Sequence, residues 1–252
     1  MVGVYEVRKF LKQFGSVDNQ RVAYRLVEKL VKDGFFRRED VQDAAATAVA
    51  ALSRDATAAR PGFVKSLTDS GVWKNIFVVV PSGSSVTSFH ALADIVRQKE
   101  NLAKNQTGTA SDLIDYLRHQ KMHVAVLLFD DVIGTGTTAY AAIEELLHTI
   151  DSQGLYGSVA CILFYAVAGF RDVVDELNRQ LEGKAVVEVY RQLAEADQAF
   201  NPDAGIFDTD DERERAQKLV ESIGAKLEPK CPLGYGGRQA LISFYRNTPN
   251  IT

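Results

Sequence analysis

Residues 124–147 read VAVLLFDDVIGTGTTAYAAIEELL, and the fold turns on how that stretch is understood. Val124 to Phe129 is an unbroken apolar run, too short for a helix that buries one face and suited to a strand covered on both faces. Two adjacent carboxylates follow, Asp130 and Asp131, and then a turn of small and hydroxylated residues, Gly134-Thr135-Gly136-Thr137-Thr138. From about Ala139 to Thr149 the apolar residues recur at helical spacing. Glycines let backbone amides approach an anion closely, a helix N-terminus adds free N–H groups and its dipole, and threonine hydroxyls add donors. The turn is therefore a phosphate cradle. The acids just upstream are acceptors suited to vicinal hydroxyls, or to Mg²⁺ shared with a phosphorylated sugar. Together they describe a place for a ribose bearing a 5′-phosphate, at the carboxyl edge of a sheet where ligands of open α/β folds bind.

The flanking sequence repeats the strand-then-helix alternation. Ile76 to Val80 is a β-branched run stopped by Pro81 and Gly83, and a helix is expected over Thr87 to Asn101. Residues 102–110 read as a polar loop and Asp112 to Gln120 as a short helix. Further strands are expected at 158–167, 185–190 and 239–245, with helices over Arg171 to Leu181 and Asp210 to Ile223. Such alternation predicts an α/β fold with a mostly parallel sheet flanked by helices. Ahead of it, residues 1–70 read as helices with no strand, Asp33-Gly34 closing the second of them. The expected division is an N-terminal helical layer, 1–70, and an α/β domain, 71–252.

Composition narrows the function classes. The chain has 252 residues, 29 Lys and Arg against 33 Asp and Glu, and a net charge of −4. A broadly basic nucleic-acid binder is excluded, although Arg37-Arg38 and the Arg54 to Arg60 stretch leave a local basic surface open. No apolar run reaches the roughly 18 residues a membrane helix needs, and the first residues lack a signal-peptide core; a cytoplasmic protein without membrane contact is expected. Cys161 and Cys231 are too few for a disulfide framework or a four-ligand zinc site.

Rival motifs fit the central segment less well. Gly134-x-Gly136-x-x-Ala139 matches the dinucleotide fingerprint in letters, but four residues separate it from Phe129 and the next strand ends without the acid that fingerprint needs. A phosphate-binding P-loop needs a Gly-Lys-Ser/Thr run, and no lysine is present.

The run DDVIGTGTT behind its apolar strand resembles the PRPP-binding signature of type I phosphoribosyltransferases (PRPP is 5-phosphoribosyl 1-pyrophosphate). More loosely, LGYGGRQALISFYRNTPN (233–250) resembles the ending of a bacterial phosphoribosyltransferase-like group predicted to act in conflict, defence or RNA-repair systems. The first resemblance implies that Asp130 and Asp131 contact the ribose hydroxyls and share Mg²⁺, as catalytic and metal-binding residues, and that Gly134 to Thr138 hold the 5′-phosphate. It implies transfer of a phosphoribosyl group to a nitrogen nucleophile with loss of pyrophosphate. The pyrophosphate is expected on the loop after the first sheet strand, here Pro81 followed by Ser82, Gly83, Ser84 and Ser85. That loop carries no Arg or Lys, and the interval before the signature strand offers only Lys99, Lys104 and Lys121 with nothing to single one out. A catalytically reduced binding module, working as a sensor or effector subunit with a partner protein, is the alternative.

Other candidates are weaker. Tyr235 and Arg238 lie in a glycine-flanked turn that suits stacking on a base or holding an anion. The N-terminal helices either cap the sheet or meet a protein partner, and a homo-oligomer is expected.

Overall fold

The computed structural model describes residues 4–60, 75–81 and 87–246. In chain order its helices and strands are α1 (Val4–Lys12), α2 (Val17–Lys29), β1 (Phe35–Phe36), α3 (Arg38–Ala59), β2 (Ile76–Val79), α4 (Thr87–Lys99), β3 (Thr107–Gly108), α5 (Ala110–His119), β4 (Val124–Ile133), α6 (Thr137–Ser152), β5 (Val159–Phe170), α7 (Arg171–Gln180), β6 (Val186–Leu193), α8 (Asp210–Leu227) and β7 (Ser243–Phe244). Contacts divide them into two units, Glu39–Gln192 and the pair Met1–Arg38 with Leu193–Thr252. This division differs from the expected one at residue 70: α3 belongs with the sheet, and the last 60 residues or so group with the first two helices.

In the unit Glu39–Gln192, five strands form a sheet in the order β3-β2-β4-β5-β6. β2 pairs in parallel with β3 and β4, and β4 in parallel with β5. The apolar runs behave as expected of strands covered on both faces. Ile76 to Val79 and Val124 to Phe129 are buried at every position, and Phe77, Phe129, Phe164 and Phe170 are among the largest fully buried side chains. Helix α6 buries Ala139, Ala142, Ile143, Leu146 and Ile150, and α3 buries a stripe rich in alanine, Ala44, Ala45, Ala48 and Ala56, around Val49 and Leu52. Cys161 on β5 donates through Sγ to the carbonyl of Leu52 at 3.7 Å, and burial pushes its thiol up to about 12.

One register decides where the site lies. The β2–β4 pairing stops at Val79↔Leu128, whereas the β4–β5 pairing runs on through Asp130↔Ala166 to Ile133↔Gly169. The signature strand is thus longer than its apolar run, and both acids lie on it rather than in the turn. The polar stretch 102–110, which reads as a loop, carries the edge strand β3. Gln106 explains why a polar segment can close the sheet: its side chain is buried, donates to the Ile76 carbonyl at 2.8 Å and accepts from the Ala103 amide at 2.9 Å, so it satisfies backbone groups beside the two-residue strand.

In the other unit, Phe35–Phe36 is a strand within the stretch that reads as wholly helical, paired in parallel with β7. The expected strand over 239–245 shrinks to Ser243–Phe244 and joins this two-stranded pair, not the main sheet. Two residues are too few for a period-2 pattern to show in sequence. Stacking of Phe36 on Phe244, centroids 4.9 Å apart, closes the pair. Arg25 on α2 reaches the start of α8, with N–O distances of 2.9 Å to both Asp208 and Glu212. Gly34 is required by close approach. A Cβ there would lie 1.8 Å from the Leu241 carbonyl oxygen, a backbone atom that cannot swing away. Gly34→Ala is expected to lower the melting temperature by roughly 5 °C or more, read by calorimetry. Gly157→Ala, whose Cβ meets nothing within 4 Å, is the control that should leave it unchanged.

Candidate functional site

Past Leu128 no strand among the described residues pairs with β4 on the β2 side, and the start of α4 supplies the neighbouring group there. Asp130 is only 6% exposed. Its Oδ1 accepts from the Ser88 hydroxyl at 3.2 Å and from the Asp131 backbone N–H at 2.8 Å. Burial, followed by the like charge of Asp131, pushes its carboxyl up to about 8, against which the backbone N–H and Ser88 pull downward. The Asp131 side chain is close enough to add to that upward push. The two acids, expected just past the apolar strand, lie on it: Asp131 is half-buried, and Asp130 sits in the sheet because β5 keeps pairing beside it.

The clasp follows at once. Gly134, Thr135 and Gly136 form the turn between β4 and α6, and Thr137 and Thr138 open the helix with exposed side chains. Gly136 is the N-cap, at φ +81°, ψ −12°, with no side chain to bond the first-turn amides. No acid lies in that turn either. The first amides of a helix have no partner within it, so those of α6 depend on a group from outside the helix. Thr135 and Thr137 bring their hydroxyl oxygens within 3.2 Å of one another. Packing makes the glycine doubly necessary, since a Cβ at Gly136 would come within 2.8 Å of Val173 on α7.

The structure therefore brings Asp130, Asp131 and Gly134 to Thr138 together on one strand–turn–helix unit. Ser82, Gly83, Ser84 and Ser85 lie outside the described residues. Tyr235 belongs to the other unit, in a short turn with Gly236 and Gly237, and its side chain is likewise outside what is described. Topology removes three lysines from consideration. Helix α4 carries the chain back from the carboxyl edge of β2 to the amino end of β3, so Lys99 at its end, Lys104 just before β3 and Lys121 just before β4 all fall at the opposite edge from the acids. Two residues at the carboxyl edge escape a sequence reading. Ser88 could have been noticed only because it opens the helix that follows the first strand. Arg171 begins α7 directly after β5, and its guanidinium donates twice to the Gln192 side chain, at 3.1 and 2.9 Å.

Comparison with known families bears directly on this geometry: the pattern of the family PRTase-CE matches residues 7–252. The chain belongs to that family. PRTase-CE is a phosphoribosyltransferase-type family, and the five-strand parallel sheet flanked by helices is consistent with a phosphoribosyltransferase-like fold. A search of curated proteins finds no match. Type I phosphoribosyltransferases use Mg²⁺, and the donor set of this PRTase-CE chain can be tested against it. No group of three His, Cys, Asp or Glu able to hold a metal occurs among the described residues. A pair of neighbouring carboxylates does occur. Mg²⁺ is commonly held by one or two carboxylates with phosphates and water completing its shell, so Asp130 and Asp131 fit a shared ion but not an all-protein metal site.

Two outcomes follow from the buried acid and the clasp. A carboxyl whose pKa is raised on folding binds its proton more tightly in the folded chain. Its stabilising effect is complete below the unfolded value near 4 and is lost as pH rises toward 8. Asp130→Asn should therefore become more stable than the parent protein as pH increases across that window, by on the order of a few kcal/mol. Denaturant titrations at pH 4, 6 and 8 read this; a gap that stays constant with pH would show that folding leaves the Asp130 pKa where it is in the unfolded chain. Gly136→Ala should lose about 1–3 kcal/mol of stability, together with phosphate binding followed by ³¹P NMR, because strain and the Val173 clash both displace the α6 amides.

Proposed function

We propose that this chain binds PRPP or a related ribose 5-phosphate ligand and transfers the phosphoribosyl group to a nitrogen nucleophile with release of pyrophosphate. The observation that carries this reading is the continuity of β4, turn and α6, which sets two neighbouring acids a few residues before a glycine-threonine helix N-terminus. The 5′-phosphate would rest on the α6 amides and the Thr135, Thr137 and Thr138 hydroxyls. Asp130 and Asp131 would accept from the ribose 2′ and 3′ hydroxyls and hold Mg²⁺, which when bound supplies positive charge against the pyrophosphate. In the transfer, a bond forms from the nucleophile nitrogen to C1′ as the bond from C1′ to the pyrophosphate oxygen breaks. The electron pair of that bond leaves with pyrophosphate, and the nitrogen gives up its proton. The transition state is oxocarbenium-like, so the protein's part is to orient the sugar and to place carboxyl oxygens near developing positive charge.

A second reading is favoured by a specific feature. Pro81 to Ser88 contains no Lys or Arg, and the three lysines ahead of the signature strand lie at the far edge of the sheet. Pyrophosphate usually calls for a cation beside it. A module that binds the ligand without turning it over, as a sensor or effector subunit in a bacterial defence system, would not need one. Phe10, Val17, Tyr24, Val31 and Phe35 are exposed apolar residues of the N-terminal segment and suit a protein partner or a second copy of the chain. Among the described residues no helix is long and apolar enough to cross a membrane. A cytoplasmic setting would match a ligand of this kind.

Calorimetry with PRPP, with and without Mg²⁺, followed by a pyrophosphate-release assay across purine and pyrimidine bases, tests both readings. Binding strengthened by Mg²⁺ and followed by release is the result expected of the transferase. Binding with no release for any base would favour the sensor. Absence of binding in either condition would overturn both.

A further inference from the structure

We propose that Ser88 is a positioning residue for Asp130: its hydroxyl holds the carboxyl in the orientation that receives the ribose hydroxyls and Mg²⁺. This rests on the reading of the acid pair given above and names a residue of that site which the PRPP signature does not contain. The geometry is specific. Ser88 Oγ lies 3.2 Å from Asp130 Oδ1, and the same oxygen accepts the Asp131 N–H at 2.8 Å. The backbone N–H comes with the strand itself, so it cannot vary with side-chain choice. Ser88 is the side-chain hydroxyl that sets the second direction, and two donors on one oxygen fix the plane of a carboxyl group that one donor would leave free to rotate.

The placement of Ser88 is itself rigid. The neighbouring residue, Phe89, is buried and packs edge-on against Phe164 of β5, with centroids 6.2 Å apart and planes at 81°. Leu92, Ala93 and Val96 continue the same buried face of α4. Rotation of α4 about its axis is thereby set, and with it the position from which Ser88 reaches β4. The need for such a group follows from register. β2 ends its pairing at Leu128, so beyond that point no strand among the described residues pairs beside Asp130 on this side, and a residue from the first turn of α4 takes the neighbouring place. Ser88 also stands just past Ser82 to Ser85, the segment expected to take the pyrophosphate. The helix that follows that segment is in this way tied by one hydrogen bond to the acid pair.

A hydroxyl that merely satisfied a buried carboxyl would affect stability alone. A positioning hydroxyl must change ligand affinity at the acid pair while sparing the clasp. Ser88→Ala and Ser88→Thr are compared with the parent protein by titration with PRPP in Mg²⁺, with inorganic phosphate as the probe of the α6 clasp and thermal melting as the probe of folding. Ser88→Ala is expected to weaken PRPP binding by about tenfold or more, the size of a hydrogen bond to a charged group, and to raise the Mg²⁺ concentration needed for half-maximal effect. Phosphate affinity should stay within about twofold, and Ser88→Thr should recover most of the loss. Equal PRPP affinity in parent and Ser88→Ala would overturn the role of Ser88 and leave the site reading standing, as would a parallel loss of PRPP and phosphate binding. Failure of the parent protein to bind PRPP would overturn the site reading and this inference with it. Should the alanine variant not fold, Ser88→Cys, which keeps the size but donates poorly, is judged by the same three readouts.

Discussion

Pairing of β4 with β5 continues past the end of β2, and the candidate site follows from that one difference in strand length. Had β4 ended with its apolar run at Phe129, both acids would have entered a solvated turn with ordinary carboxyl chemistry. Instead the ladder carries Asp130 to its partner Ala166 and Ile133 to Gly169, so a carboxyl group is drawn into the sheet. The cost is a desolvated acid beside another acid. The compensation is partial, a hydroxyl and a backbone N–H on one oxygen. A chain selected for stability alone would place an apolar residue there, as it does at Phe129 and Ile133. An acid that remains in such surroundings is suited to a ligand whose hydroxyls or cation replace the missing solvation.

The clasp shows the same kind of constraint. Gly136 stands at positive φ at a helix N-cap, where Ser, Thr, Asp or Asn would bond the first-turn amides. A capping side chain would occupy the donors that the proposed phosphate needs. The close approach of Val173 also excludes any Cβ. Local helix stability is thus given up at the N-terminus of α6 and recovered along its length, where Ile143, Leu146 and Ile150 are buried. Acid pair and open helix end are consecutive in the chain, which keeps their separation fixed by backbone geometry and not by packing between distant segments.

Most of the sheet was legible because its strands are continuous apolar runs, and the acid pair and clasp because they sit between such a run and a helical period. What escaped had no period to read. β1 and β3 are two residues each, and β3 exists through a buried Gln106 within a polar stretch. The length of β4 was hidden because Asp130 and Asp131 look like the end of a strand, and only pairing with the small residues Ala166, Ala168 and Gly169 shows otherwise. Ser88 is separated from Asp130 by 42 positions, and no local pattern marks that contact. The grouping of the first helices with the chain's last segment depends on the same kind of long-range contact, through Arg25 and through Phe36 against Phe244.

A crystal structure of the protein with ribose 5-phosphate and Mg²⁺ bears most directly on the central claim that one sugar phosphate spans the acid pair and the α6 N-terminus. The phosphate should sit on the amides of Thr137 to Ala139, with the ribose 2′ and 3′ hydroxyls within hydrogen-bonding distance of Asp130 and Asp131. A sugar phosphate bound elsewhere, or held by the clasp with its ribose turned away from both carboxyl groups, would contradict it.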